Sequence, residues 1–158
     1  MTAIRRVLQS ISGRYPEMYP QLEQVLETPI WTTLNDYGTE STDEGLTCLC
    51  ELIYHQQGVS QSMWNFFQLI VQSIMEDRGI LDNYLNCSFA FIINLMNKEP
   101  QGFKTVQFPN AQGQASTALD MTLALGQKSF EIAREKDDEI WAINVVSLFN
   151  SILENLQD

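Results

Sequence analysis

The chain has 158 residues, enough for one packed domain and too few for two ordinary ones. A hydrophobic fraction of 44% supports a core, and 8 Gly with 5 Pro exclude collagen-like and linker-like sequences. The formal net charge of −11 argues against a nucleic-acid binder or an anionic membrane surface as partner and makes a basic protein the electrostatic complement.

Apolar residues then recur at helical period along the chain, predicting about seven helices. Ile4, Val7, Leu8 and Ile11 form the first stripe, closed by Ser12 and Gly13. Leu22, Val25, Leu26, Ile30 and Leu34 form the second, with Pro29 expected to kink or split it near Thr28. Residues 35–43 are a polar connection. A third helix begins at an N-cap among Ser41, Thr42 and Asp43 and carries Leu46, Leu49, Cys50 and Ile53. After Gly58, Ser60 caps a fourth. So short a connection predicts antiparallel neighbours.

The fourth helix is the clearest. Met63, Phe67, Ile70, Val71 and Ile74 share one face and Gln61, Asn65, Gln68, Gln72 and Glu76 the other. Trp64 and Phe66 widen the apolar face, so the helix is expected to pack on two neighbours and bury these aromatics. The turn at Asp77, Arg78 and Gly79 leads to a fifth helix with Leu81, Leu85, Phe89, Ile92 and Met96 inward. Residues 98–115 are expected to be a long loop anchored by Phe103, Val106 and Phe108, with 103–108 the one candidate strand. A sixth helix starts near Ser116 and Thr117, with Leu119, Leu123, Phe130 and Ala133 as core face and Gly126 allowing a close helix contact. The last follows Asp137, Asp138 and Glu139, with Trp141, Val145, Leu148, Phe149, Ile152 and Leu156 inward. The prediction is therefore a single all-α domain over 1–158. Helix pairs at a spacing near 35–40 residues suggest a repeat array, and a plain bundle is the alternative.

No catalytic constellation is present: there is no His pair, Gly-rich phosphate loop, nucleophile elbow or His-Glu-x-x-His motif. No enzymatic activity, metal or cofactor is expected. Cys48, Cys50 and Cys87 read as buried thiols in a reducing compartment, because Cys48 and Cys50 point about 200° apart on a helix. His55 reads as a surface side chain or one serving helix-end carbonyls. The longest apolar run, 89–93, is far short of the ~20 residues of a membrane helix, so no membrane insertion is expected. The N-terminal residues, with Arg5 and Arg6 but no long apolar stretch, do not read as a secretory leader.

Charge is the informative pattern. Between Arg14 and Arg78 there is no Lys or Arg, while those residues hold ten Asp and Glu. A second acidic cluster stands at Asp137, Asp138 and Glu139. If helix pairs stack, their turns align along one edge. Asp43, Glu44, Glu51, Glu76, Asp77, Asp137, Asp138 and Glu139 are then the candidate surface for a basic protein.

The sequence Val59-Ser60-Gln61-Ser62-Met63-Trp64, followed by apolar residues to Ile74 and by Glu76-Asp77-x-Gly79-x-x-Asp82-x-Tyr84, resembles the C-terminal HEAT-repeat region of the importin-beta (karyopherin-beta) superfamily, of the importin seven and importin eight type. Gln61 stands where that family has a proline. The resemblance spans about residues 43–156. It implies a HEAT-like solenoid segment, part of a nuclear transport receptor that shuttles between cytoplasm and nucleus. It also implies basic cargo such as ribosomal proteins or histones, with Ran GTPase and nucleoporins engaged by other parts of the receptor. A HEAT- or armadillo-type scaffold or regulatory adapter unconnected with transport is the alternative.

Overall fold

Helix is the dominant state in the computed structural model, which describes residues 2–11, 14–35, 42–76, 85–109 and 113–156. The described residues form eight helices: α1 (Thr2–Ile11), α2 (Tyr19–Asn35), α3 (Thr42–His55), α4 (Gln61–Met75), α5 (Leu85–Lys98), α6 (Pro100–Thr105), α7 (Ala118–Lys136) and α8 (Glu139–Asn155). A 3-10 turn at Pro16–Met18 precedes α2. The all-α prediction holds, with one helix more than expected. The predicted turns at Ser12–Gly13 and Asp77–Gly79, the connection at 36–41 and Leu81 lie outside the described residues.

The extra helix corrects the reading of 98–115. Pro100 supplies a fixed first-turn φ, so α6 starts two residues after α5 ends. Strand β1 (Gln107–Pro109) then pairs antiparallel with β2 (Ala115–Thr117), Phe108 opposite Ser116. Phe103 is therefore helical, and the predicted strand over 103–108 shrinks to its last two residues plus Pro109. The anchoring role of the aromatics holds. Phe103 and Phe108 are buried against Trp64 and Phe67, with ring centroids 5.3–6.4 Å apart. Gly102 lets α6 come this close: a Cβ there would stand 2.4 Å from Trp64 Cζ2.

Side-chain bonds fix the helix directions. Thr42 Oγ1 donates to the Thr33 carbonyl and Gln56 Nε2 to Glu23, so α2 and α3 are antiparallel. Cys87 Sγ donates to Asp43 Oδ1, and Lys98 Nζ to the carbonyls of Tyr54 and Gln56, so α5 runs parallel to α3. Asn144 Nδ2 donates to Asn86 and Asn155 Nδ2 to Asn97, so α8 runs parallel to α5. Glu23 meets Ser60 and Trp31 packs on Phe66, so α4 runs parallel to α2 and opposite to α3. Helix α7 turns back into α8 at Asp137 and Asp138. The result is two rows: α3, α5 and α8 side by side in one sense, and α2, α4 and α7 in the other. Helices α3 and α4 are antiparallel as expected. The backbone of α4, however, approaches α7 and α5 more closely than it approaches α3.

Local rules hold at the described helix ends. Ser60 Oγ accepts from the Met63 N–H at the start of α4. Thr117 and Asp120 form a reciprocal capping box at α7, and the Thr117 hydrogen bonds hold the Asp120 carboxyl below its usual range. Lys128 Nζ reaches the last carbonyls of α4, Ile74 and Met75.

Three further expectations fail. Helix α2 runs unbroken through Pro29, because Pro29 and Val25 lie together on the exposed face and the Val25 carbonyl loses its i+4 donor on the side facing water. Val25, predicted inward, is 71% exposed, and Val7 is also exposed. Of the predicted α7 core face, Ala133 is buried and Leu119 half-buried, but Leu123 and Phe130 are exposed, while Thr122, Leu125, Gly126 and Ser129 are buried. Small side chains on that face let α8 come near: a Cβ on Gly126 would stand 2.9 Å from Phe149 Cζ. The predicted close contact at Gly126 is thus present.

Candidate interaction surface

Because α3, α5 and α8 run parallel, their first turns share one edge with the last turns of α2, α4 and α7. Asp43 and Glu44 lie in the first turn of α3, Glu76 caps the end of α4, and Asp137, Asp138 and Glu139 form the α7–α8 turn. These six residues occupy that edge. Glu51 does not. It stands about 12 Å further along α3 by helical rise, faces His55 at 3.6 Å and accepts from Gln9 Nε2 at 3.4 Å. Asp77 lies outside the described residues.

The acids on the edge differ in freedom. Asp43 is half-buried and accepts from the Cys87 thiol at 3.2 Å. Asp138 accepts from the N–H groups of Ile140 and Trp141 and is spent on capping α8. Asp137 and Glu139 are exposed. Asp137 ends α7 in the left-handed region, φ 51°, a conformation that costs a non-glycine residue less when it is Asp or Asn. Two cations, Arg134 and Lys136, stand in the last turn of α7, where the helix dipole favours them.

The opposite edge is built differently. There α3 and α5 end, α4 and α7 begin, and the α6–hairpin insertion sits. Glu23, only 7% exposed, accepts from Gln56 and from Ser60, so a buried carboxylate ties α2 to the α3–α4 turn. Gln56 Oε1 has no partner there. His55 is half-buried beside the Tyr19 and Tyr54 rings, with centroids 5.2 and 4.9 Å away.

The α7–α8 pair carries a second feature that the sequence reading missed. A groove of about 300 Å³ opens between the two helices, lined by Phe130, Ala133, Ala142, Val145 and Val146, with Arg134 and the three acids of the turn at its mouth. Ile140, Ile143, Val146 and Leu153 lie exposed along α8, and Leu123 and Phe130 along α7. The signal was in the sequence. Once Trp141, Val145 and Leu148 are placed inward, α8 still has four large apolar residues on its other side, too many for a helix covered on one face alone.

Cys48 is buried and Cys50 and Cys87 are half-buried, and none of the three is in a disulfide. Burial, helped by Cys87, Glu51 and Cys48, pushes the Cys50 thiol up to about 12. Among the described residues no group of three or more His, Cys, Asp or Glu is placed to hold a metal, and no helix is long and apolar enough to cross a membrane. In comparisons with protein-family models, curated proteins and solved structures, nothing matches this chain.

Proposed function

We propose that this chain is a helical interaction module that binds a basic protein through its acidic edge. The observation that carries this reading is the parallel alignment of α3, α5 and α8, which gathers Asp43, Glu44, Glu76, Asp137, Asp138 and Glu139 from distant parts of the sequence onto one side. On a chain of net charge −11, such an edge attracts Lys/Arg-rich proteins and speeds their association at low salt. The two antiparallel rows support a HEAT-like array. The narrower reading is a unit of an importin-beta-like nuclear transport receptor carrying ribosomal-protein or histone-like cargo, and it rests on the sequence resemblance at 59–84. A scaffold or regulatory adapter uses the same geometry. Association of the endogenous gene product with Ran or nucleoporins separates the two.

The test is a titration of the full chain with a lysine-rich histone, in low and in physiological salt. The expected result is binding that weakens with salt and falls about tenfold or more in the triple variant E76K/D137K/E139K. Salt-independent binding, untouched by the triple reversal, contradicts the reading.

A further inference from the structure

We propose that the exposed face of α7 and α8 is a docking site for an amphipathic helix of a basic partner. Its apolar side chains would pack on Phe130, Ile143, Val146 and Leu153, and its Lys or Arg side chains would reach Asp137 and Glu139. This rests on the reading of the chain as a basic-protein binder, and adds the face used and the form of the partner.

The α7–α8 groove is flanked by an exposed apolar stripe on α8, the two meeting at Val146. Ile143, Val146 and Leu153 recur at spacings of three and seven on α8, one stripe of that helix, and Ile143 is 65% exposed. Phe130, 57% exposed on α7, shares the groove with Val146. From Ile140 to Leu153 the stripe runs about 20 Å, the length of a partner helix of three to four turns. Large apolar side chains gathered on one exposed helix face, here with Ser147 and Asn150 between Val146 and Leu153, mark a contact site more often than single ones do.

Charge selects the occupant. The groove is also lined by Asp137, Asp138, Glu139 and Arg134, with Lys136 in the same turn of α7, so acids outnumber cations there; with Asp138 committed to its cap, Asp137 and Glu139 are exposed. A second copy of this chain would bring another net charge of −11 to the same surface, which opposes self-pairing. A helix with a cationic flank meets both the apolar floor and the acidic rim.

The experiment uses the full chain and a fluorescent peptide of about five turns, with Leu at i, i+3, i+4 and i+7 and Lys at the remaining positions. A control peptide has Glu in place of Lys. Anisotropy reports binding, and sedimentation reports the oligomeric state. The expected result is binding of the Lys peptide and not of the Glu peptide, reduced about tenfold by I143S/V146S. Both substituted residues are exposed, and circular dichroism verifies that the variant stays folded. Equal binding of the two peptides, or no loss in I143S/V146S, overturns the proposal. So does a dimer that I143S/V146S converts to monomer, because a second copy then covers the face. The lysine-rich histone separates the two levels. If E76K/D137K/E139K loses histone binding while I143S/V146S keeps it, the acidic edge stands and the docking face falls. If neither variant affects histone binding, the broader reading falls with it.

Discussion

On α4, Met63, Trp64, Phe66, Phe67 and Ile70 are all buried, whereas on α8 only Trp141, Val145 and Leu148 of a similarly apolar set are, and Ile140, Ile143, Val146 and Leu153 face water. The difference follows from position. Helix α4 is covered by α7, α5 and the α6–hairpin insertion, and touches α2 through Phe66. Helix α8 packs on α5 and α7 and has nothing on its far side among the described residues. Apolar residues in the centre pack the core, and the same residue types at the α7–α8 end are left exposed.

The largest expected effect lies in the covered region. Phe67 is fully buried against Trp64, Phe103 and Phe108. Phe67→Ala should cost about 3–5 kcal/mol, read from the denaturant midpoint. A midpoint shift within the scatter of surface variants would mean that the aromatic cluster is not the core. Gly102→Ala comes next. Its Cβ would press on Trp64 Cζ2 and on Glu99, and the rigid indole cannot swing aside as a flexible chain end can, so a loss of about 1–3 kcal/mol is expected.

A pH effect follows from Cys50. Burial raises its pKa to about 12, above the ordinary thiol value of 9.0, so the unfolded chain releases this proton first as pH rises. The stabilising contribution is complete below about 9 and is lost between about 9 and 12. The native protein at pH 8 should accordingly resist alkylation at Cys50, and the urea-unfolded chain should react. Rapid modification of Cys50 in the native state would contradict its burial. The smallest stability effect is expected at the α8 end. Ile143→Ser and Val146→Ser should each change stability by no more than about 0.5 kcal/mol, while lowering peptide affinity. A loss as large as that of Phe67→Ala would show the face to be core and dissolve the contrast.

Much of the fold was legible because helical period and caps are local. Ser60, Thr117 and Asp138 cap helices near where the sequence places them, and the α4 stripe is buried residue for residue. What the sequence hid depends on distant neighbours. Leu123 and Phe130 have the right spacing for a core face, but Gly126 faces Phe149 of α8 because a side chain there would block that approach. Pro29 breaks no helix because its lost hydrogen bond falls on the water side of α2. The acidic edge was partly legible: five of its six acids sit in the predicted turns or first turns, and Glu76 in a cap. Glu51 has the same charge but lies along α3, where it faces His55. The α7–α8 groove was not read, because exposure depends on which elements are missing from one side, and that is not a local property.

Hydrogen exchange of the full chain, with and without the Lys-bearing helical peptide, tests the central claim most directly. The account predicts slowed exchange over the exposed half of α7 and over α8, with α3, α4 and α5 unchanged. Protection confined to α3 and α4, or none at saturating peptide, would contradict it.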